Sequence, residues 1–130
     1  MSLKRAMICS VAALVATAAA VPAQAVLDHY KCYAAKDLKQ PQFARTTLPT
    51  ADQFVATNTE FKSPAFVCNP VSKNGSPIIN PNDHLVCYKI KDEQKFDGPN
   101  VTVTDQFGTL KLDVKKAKLL CVPGSKTIVP

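Results

Sequence analysis

The feature that most constrains this chain is that its second half restates its first. Asp28-His29-Tyr30-Lys31-Cys32-Tyr33 returns as Asp83-His84-Leu85-Val86-Cys87-Tyr88, an offset of 55 residues. Asp52-Gln53-Phe54 returns as Asp105-Gln106-Phe107, Cys68 as Cys121 and Ser72-Lys73 as Ser125-Lys126, all at an offset of 53. Several residue types recurring in order at nearly one spacing mark a tandem duplication. Repeat one spans residues 27–73, a linker covers 74–82, and repeat two spans 83–126. A lone unit of roughly 45 residues is marginal at burying surface by itself. The two copies are therefore expected to share one core, in a single domain over residues 26–130.

The duplication leaves out residues 1–25, and their composition explains why. Lys4 and Arg5 form a positive start, Ala6 to Ala20 is a run of mostly small apolar residues, and Ala23-Gln24-Ala25 follows. This is the pattern of a signal peptide, too short to span a bilayer. Cleavage after Ala25 is expected, giving an exported protein, extracellular or periplasmic, with no transmembrane segment.

Beyond the leader, with its Cys9, four cysteines remain: Cys32, Cys68, Cys87 and Cys121, two per repeat. In an oxidising compartment an even count at duplicated positions reads as a disulfide framework. A zinc site needs closer spacing than the 19 residues between Cys68 and Cys87, the nearest pair. A redox-active Cys-x-x-Cys is absent as well. Three pairings are possible, and two-fold symmetry permits them all. Ancestry favours Cys32–Cys68 with Cys87–Cys121, because a single-repeat precursor would have joined its own two cysteines. Cys68–Cys87 with Cys32–Cys121 is the alternative.

Strand periodicity is clearest in repeat two. His84 to Lys91 alternates, with Val86, Tyr88 and Ile90 on one face and Leu85, Cys87 and Lys89 on the other. Val101 to Thr104 is a β-branched run, Gly108 suits a tight reversal, and Leu110, Leu112 and Val114 face one way on the returning strand. Ala117 to Val122 supplies a fourth strand, stopped by Pro123-Gly124. Repeat one follows the plan less cleanly. Pro49 demotes one strand to an edge or an extended loop, Val55 replaces the turn glycine, and Pro64 interrupts the closing strand, Phe61 to Cys68. The expected fold is all-β: about eight strands, as a sandwich or small barrel, built from two repeats and stapled by disulfides.

His84-x-x-Cys-Tyr-Lys, Val101-x-Val-x-Asp-Gln-Phe-Gly108 and Leu120-Cys-Val-Pro123 with Lys126 resemble a family of uncharacterised exported bacterial domains of unknown function. In that family the unit recurs in tandem. The resemblance covers residues 27–127, with departures at Pro49, Val55 and Asn69. It implies an extracytoplasmic module and points to no enzymatic activity that can be named.

Loss of Lys4 and Arg5 lowers the formal charge from +6 to +4, and Lys111, Lys115, Lys116 and Lys118 crowd near the C-terminus. Such a patch attracts anionic polysaccharide or lipid headgroups, or simply keeps an exported strand face solvated. Nucleic-acid binding would need aromatic interleaving or a named motif, and neither is present. His29 and His84, each after an aspartate, are the candidate metal ligands, weighed against a structural role at a strand entrance. Asp52 and Asp105 invite a glycosidase reading, but with no Trp to floor a cleft each is expected to cap the turn that follows it. No catalytic, cofactor or metal residue is assigned. The expected function is a secreted, non-catalytic binding or surface-structural module, its partner an anionic cell-surface polymer or another exported protein. The alternatives are a protease inhibitor presenting the loop Asn74 to Asn82 and, more remotely, a metal-dependent hydrolase.

Overall fold

The computed structural model describes residues 27–129, so the expected leader and its cleavage site lie outside the described residues. Every regular element is a strand: β1 (His29–Ala34), β2 (Thr46–Ala51), β3 (Ala56–Val71), β4 (His84–Asp92), β5 (Asn100–Asp105), β6 (Gly108–Asp113) and β7 (Leu119–Gly124). The all-β, disulfide-stapled expectation holds. Seven strands appear where four per repeat implied eight, because repeat one runs its last two strands together into the 16 residues of β3.

All ladders are antiparallel. β1, β3, β4 and β7 lie in that order, with β2 beside the first half of β3, while β5 and β6 form a separate two-stranded sheet. The larger sheet is open, not closed into the barrel that was one of the two expected forms. The chain adopts two sheets, and β6 is exposed along its whole length.

Pro49 sits in β2, which pairs only with β3, as a residue without an N–H requires. Pro64 lies in β3 between the stretch paired with β2, which ends at Phe61, and the stretch paired with β1, which begins at Phe66, so β4 is its one ladder partner, a local edge position that proline tolerates. Register shifts between Phe61 and Ser63 and between Pro64 and Phe66 absorb it. The strand bends there instead of ending.

The core is small: Phe61, Ala65, Cys68 and Cys87 are its buried apolar side chains. Alternation along β4 puts Cys87 on one face of the sheet and Tyr88 on the other. Tyr88 packs against Phe61 at 6.0 Å and against Phe43, from the loop after β1, at 5.0 Å between ring centroids. Thr59 is fully buried, and its hydroxyl is satisfied by Thr50 Oγ1 at 2.6 Å and Asp92 Oδ1 at 2.7 Å. That chain ties three neighbouring strands, β2, β3 and β4, through polar atoms at no unsatisfied cost.

Candidate functional site: a lysine-lined groove

A groove of about 730 Å³ lies where the end of β4 meets the segment joining β6 to β7. Pairing of β3 with β4 brings Lys62 beside Ile90, Lys91 and Asp92. Beyond β4 the chain is pinned by two bonds, Glu93 N–H to Asn58 O at 3.0 Å and Gln94 N–H to Thr57 Oγ1 at 3.0 Å. This presents Lys95, Phe96 and Asp97 as one wall. Phe96 is held by stacking on Phe54, ring centroids 5.6 Å apart. Lys115, Lys116 and Ala117 also line the groove, anchored where Ile90 N–H donates to Lys118 O at 3.3 Å.

Five lysines and two carboxylates therefore line the groove. Asp92 is engaged by the buried Thr59 hydroxyl. Lys115 pairs with Asp113 at 2.7 Å, but both side chains are largely exposed, so water weakens the pair and leaves most of the positive potential. The excess of lysine over carboxylate leaves the groove net positive, and a concave surface concentrates that field. The half-buried ring of Phe96 adds an apolar surface to the lining.

The duplicated residues occupy other places. Cys32 is joined to Cys68 and Cys87 to Cys121, the pairing that ancestry favours. Each bridge links directly opposed residues of neighbouring strands. Cys68 Sγ and Cys87 Sγ lie 3.6 Å apart, so the bridges sit side by side. This adjacency also brings the sulfurs of Cys32, Cys68 and Cys87 within 4.8 Å of one another.

His29 and His84 flank β3 from opposite sides. His29 opposes Val71, whereas His84 Nδ1 is 3.2 Å from Asn69 Oδ1. Neither joins a group of three potential metal ligands among the described residues. Asp52 accepts from Phe54 N–H at 2.8 Å and Val55 N–H at 3.0 Å, and Asp105 from Phe107 N–H at 2.8 Å. Both acids cap the turns that follow them, on different sheets. The bonds from Val55 and then Phe54 hold the Asp52 carboxyl below the usual carboxylate range.

Three contacts escape sequence reasoning. Asp28 accepts from Ile79 N–H at 2.6 Å and Asn80 N–H at 2.8 Å, tying the linker to the start of β1. Asp37 gathers Phe43 N–H and Lys39 N–H, both at 2.8 Å, and these bonds, Phe43's first, lower its carboxyl from the ordinary value. Lys73 donates to Gln106 and lies 5.3 Å from the Phe107 ring centroid, latching the hairpin tip to the end of β3. Asp28 and Lys73 carried a signal, through their repetition as Asp83 and Lys126, and Asp37 carried none.

No helix of the described residues is long and apolar enough to cross a membrane. A family model described as a repeat of unknown function matches residues 2–123. No curated protein matches the chain, and no solved structure does.

Proposed function

From a chain that belongs to the DUF7450 family, a repeat of unknown function, we propose an exported, non-catalytic binding module whose lysine-lined groove holds an anionic polymer of the cell surface. The observation carrying this reading is the convergence of Lys62, Lys91, Lys95, Lys115 and Lys116 on one groove with Phe96. The leader-like N-terminus and paired cysteines support export, and the turn-capping roles of Asp52 and Asp105 support the absence of catalysis. The test is retention on dextran sulfate against neutral dextran. Retention should weaken with salt, because the attraction is Coulombic. Lys95→Glu with Lys116→Glu, both in the groove, should weaken binding at least tenfold, about 1.4 kcal/mol. The same reversal at Lys36 and Lys126, outside the groove, should leave affinity within about twofold. Equal losses in both variants would reduce the groove to general charge.

The linker favours a second reading, a protease inhibitor. It presents Ile78 and Ile79, 38% and 52% exposed, on backbone held by Asp28. A preorganised loop binds at lower entropic cost. A panel of secreted proteases, assayed with wild-type protein and Asp28→Ala, separates this reading from the first.

A further inference from the structure

The two sheet edges, the outer edges of β1 and β7, carry the most developed unassigned surface. The geometry points to head-to-tail association of copies of this chain, the outer edge of β7 in one pairing with the outer edge of β1 in the next. This inference stands apart from the groove.

The template lies inside the molecule. Repeat one contacts repeat two through the β3–β4 ladder, in which Phe66 opposes Cys87, Val67 opposes Val86 and Cys68 opposes Leu85. Shifted by the repeat offsets, those positions become Leu119 opposite Cys32, Leu120 opposite Lys31 and Cys121 opposite Tyr30 of a second copy. Strand β7 thus takes the part of β3, and β1 takes the part of β4.

Backbone direction agrees. Each disulfide joins directly opposed residues whose Cα atoms are 3.9 Å apart, the close spacing of a non-hydrogen-bonded antiparallel pair. The amide and carbonyl of all four cysteines therefore turn away from the strand holding their bridge partner. For Cys68 and Cys87 this directs them into the β3–β4 ladder. For Cys32 and Cys121, and for Tyr30 and Leu119 two residues away, it directs them outward, where no strand pairs among the described residues. The register copied from the template matches these outward groups with one another.

Burial tells the same story. Cys68 and Cys87, at the inner ladder, are 0% and 2% exposed, while their duplicates Cys121 and Cys32 are exposed. Leu119 and Val122 stand 41% and 38% exposed on the open edge. The limits match too. The β3–β4 ladder ends at Cys68, two residues before Pro70, and the copied ladder would end at Cys121, two before Pro123. Because the joined edges differ, the contact is heterologous and repeats into rings or filaments instead of stopping at a dimer.

Sedimentation of the purified, oxidised protein over a concentration series tests this. Wild-type protein should form species larger than dimers. Tyr30→Pro and Leu119→Pro each remove an outward N–H and a side chain without breaking a hydrogen bond of the ladders within the sheet, and each variant alone should stay monomeric. Mixed in equal amounts, they should form a one-to-one dimer and nothing larger, since one sound β7 edge meets one sound β1 edge. Dimer formation also shows that both variants are folded. The wild-type series decides the matter even if a proline variant fails to fold. Protein that remains monomeric to about 1 mM, or that stops at a symmetric dimer, overturns the inference. So does association undiminished in both proline variants.

Discussion

Repeat one and repeat two carry equivalent strands but join them differently. In repeat one, the hairpin strand runs through Phe61-Lys62-Ser63-Pro64-Ala65 into the closing strand as β3. In repeat two, the counterpart, Val114-Lys115-Lys116-Ala117-Lys118, leaves the ladder, and the chain divides into β6 and β7. Proline favours a break in repeat one, yet that copy is the continuous one. The difference lies in the neighbour: β4 pairs with β3 from Thr59 to Cys68, on both sides of Pro64. No strand does this for β6 and β7 among the described residues. Strand continuity here comes from a partner and not from local propensity.

The largest test of this comparison separates the copies. A fragment of residues 83–130 loses β3, leaving β4 with β7 as its only neighbour and the hairpin without Lys73. Two-stranded units are marginal in water, so the oxidised fragment should be unfolded or aggregated. A dispersed NMR spectrum from it would show that repeat two does not need repeat one.

Next in size are the staples. Removing Cys87–Cys121 as a double Ala variant should cost about 3–4 kcal/mol by the loop-entropy argument. The bridges close similar loops, with sequence separations of 36 and 34. Removing Cys32–Cys68 should therefore cost about as much. Amide exchange should nevertheless tell them apart. Loss of the Cys87–Cys121 bridge should free β7 first, since β7 has one neighbour, while β3 keeps its protection from three. Equal exchange along β3 and β7 would break the comparison.

A smaller effect concerns the hairpin alone. A Cβ on Gly98 would run into the backbone oxygen of Val114, beside the bond from Val114 N–H to Pro99 O at 3.0 Å. Gly98→Ala should cost about 1–3 kcal/mol as overpacking against backbone. The loss should appear as faster exchange in β5 and β6, with β1 and β2 unchanged.

The smallest effect is a pH dependence confined to repeat one. The folded Asp52 carboxyl is held below its unfolded value, so its contribution is full above the ordinary aspartate range. It fades as pH falls through the depressed value. Urea midpoints measured from pH 6 down to pH 2 should decline less steeply at the acid end in Asp52→Asn than in wild type. Identical acid limbs would deny Asp52 that role.

Much of the fold is legible in the sequence because duplication shows each rule twice. The paired cysteines announce their own bridges, the two Asp-Gln-Phe triplets announce their turns, and Pro49 announces an edge. What stays hidden depends on partners distant in sequence. Pro64 reads as a break until β4 supplies a ladder on its far side. The groove was legible only in part: Lys115 and Lys116 belong to the crowded C-terminal patch. Lys62, Lys91 and Lys95 join them only through the β3–β4 pairing, which nothing near them in sequence specifies. The latch of Lys73 on Phe107 spans 34 residues and has no local signature at all.

The Asp28 clamp has a consequence for maturation. The proposed cut after Ala25 would leave Asp28 as the third residue of the exported chain. Its carboxylate would then hold the joint between the repeats from a position that a trimming aminopeptidase reaches in three steps. A cut misplaced by three residues would leave every strand and both bridges in place, yet release Ile79 and Asn80. The exactness of leader removal would thereby set how firmly one repeat is fastened to the next.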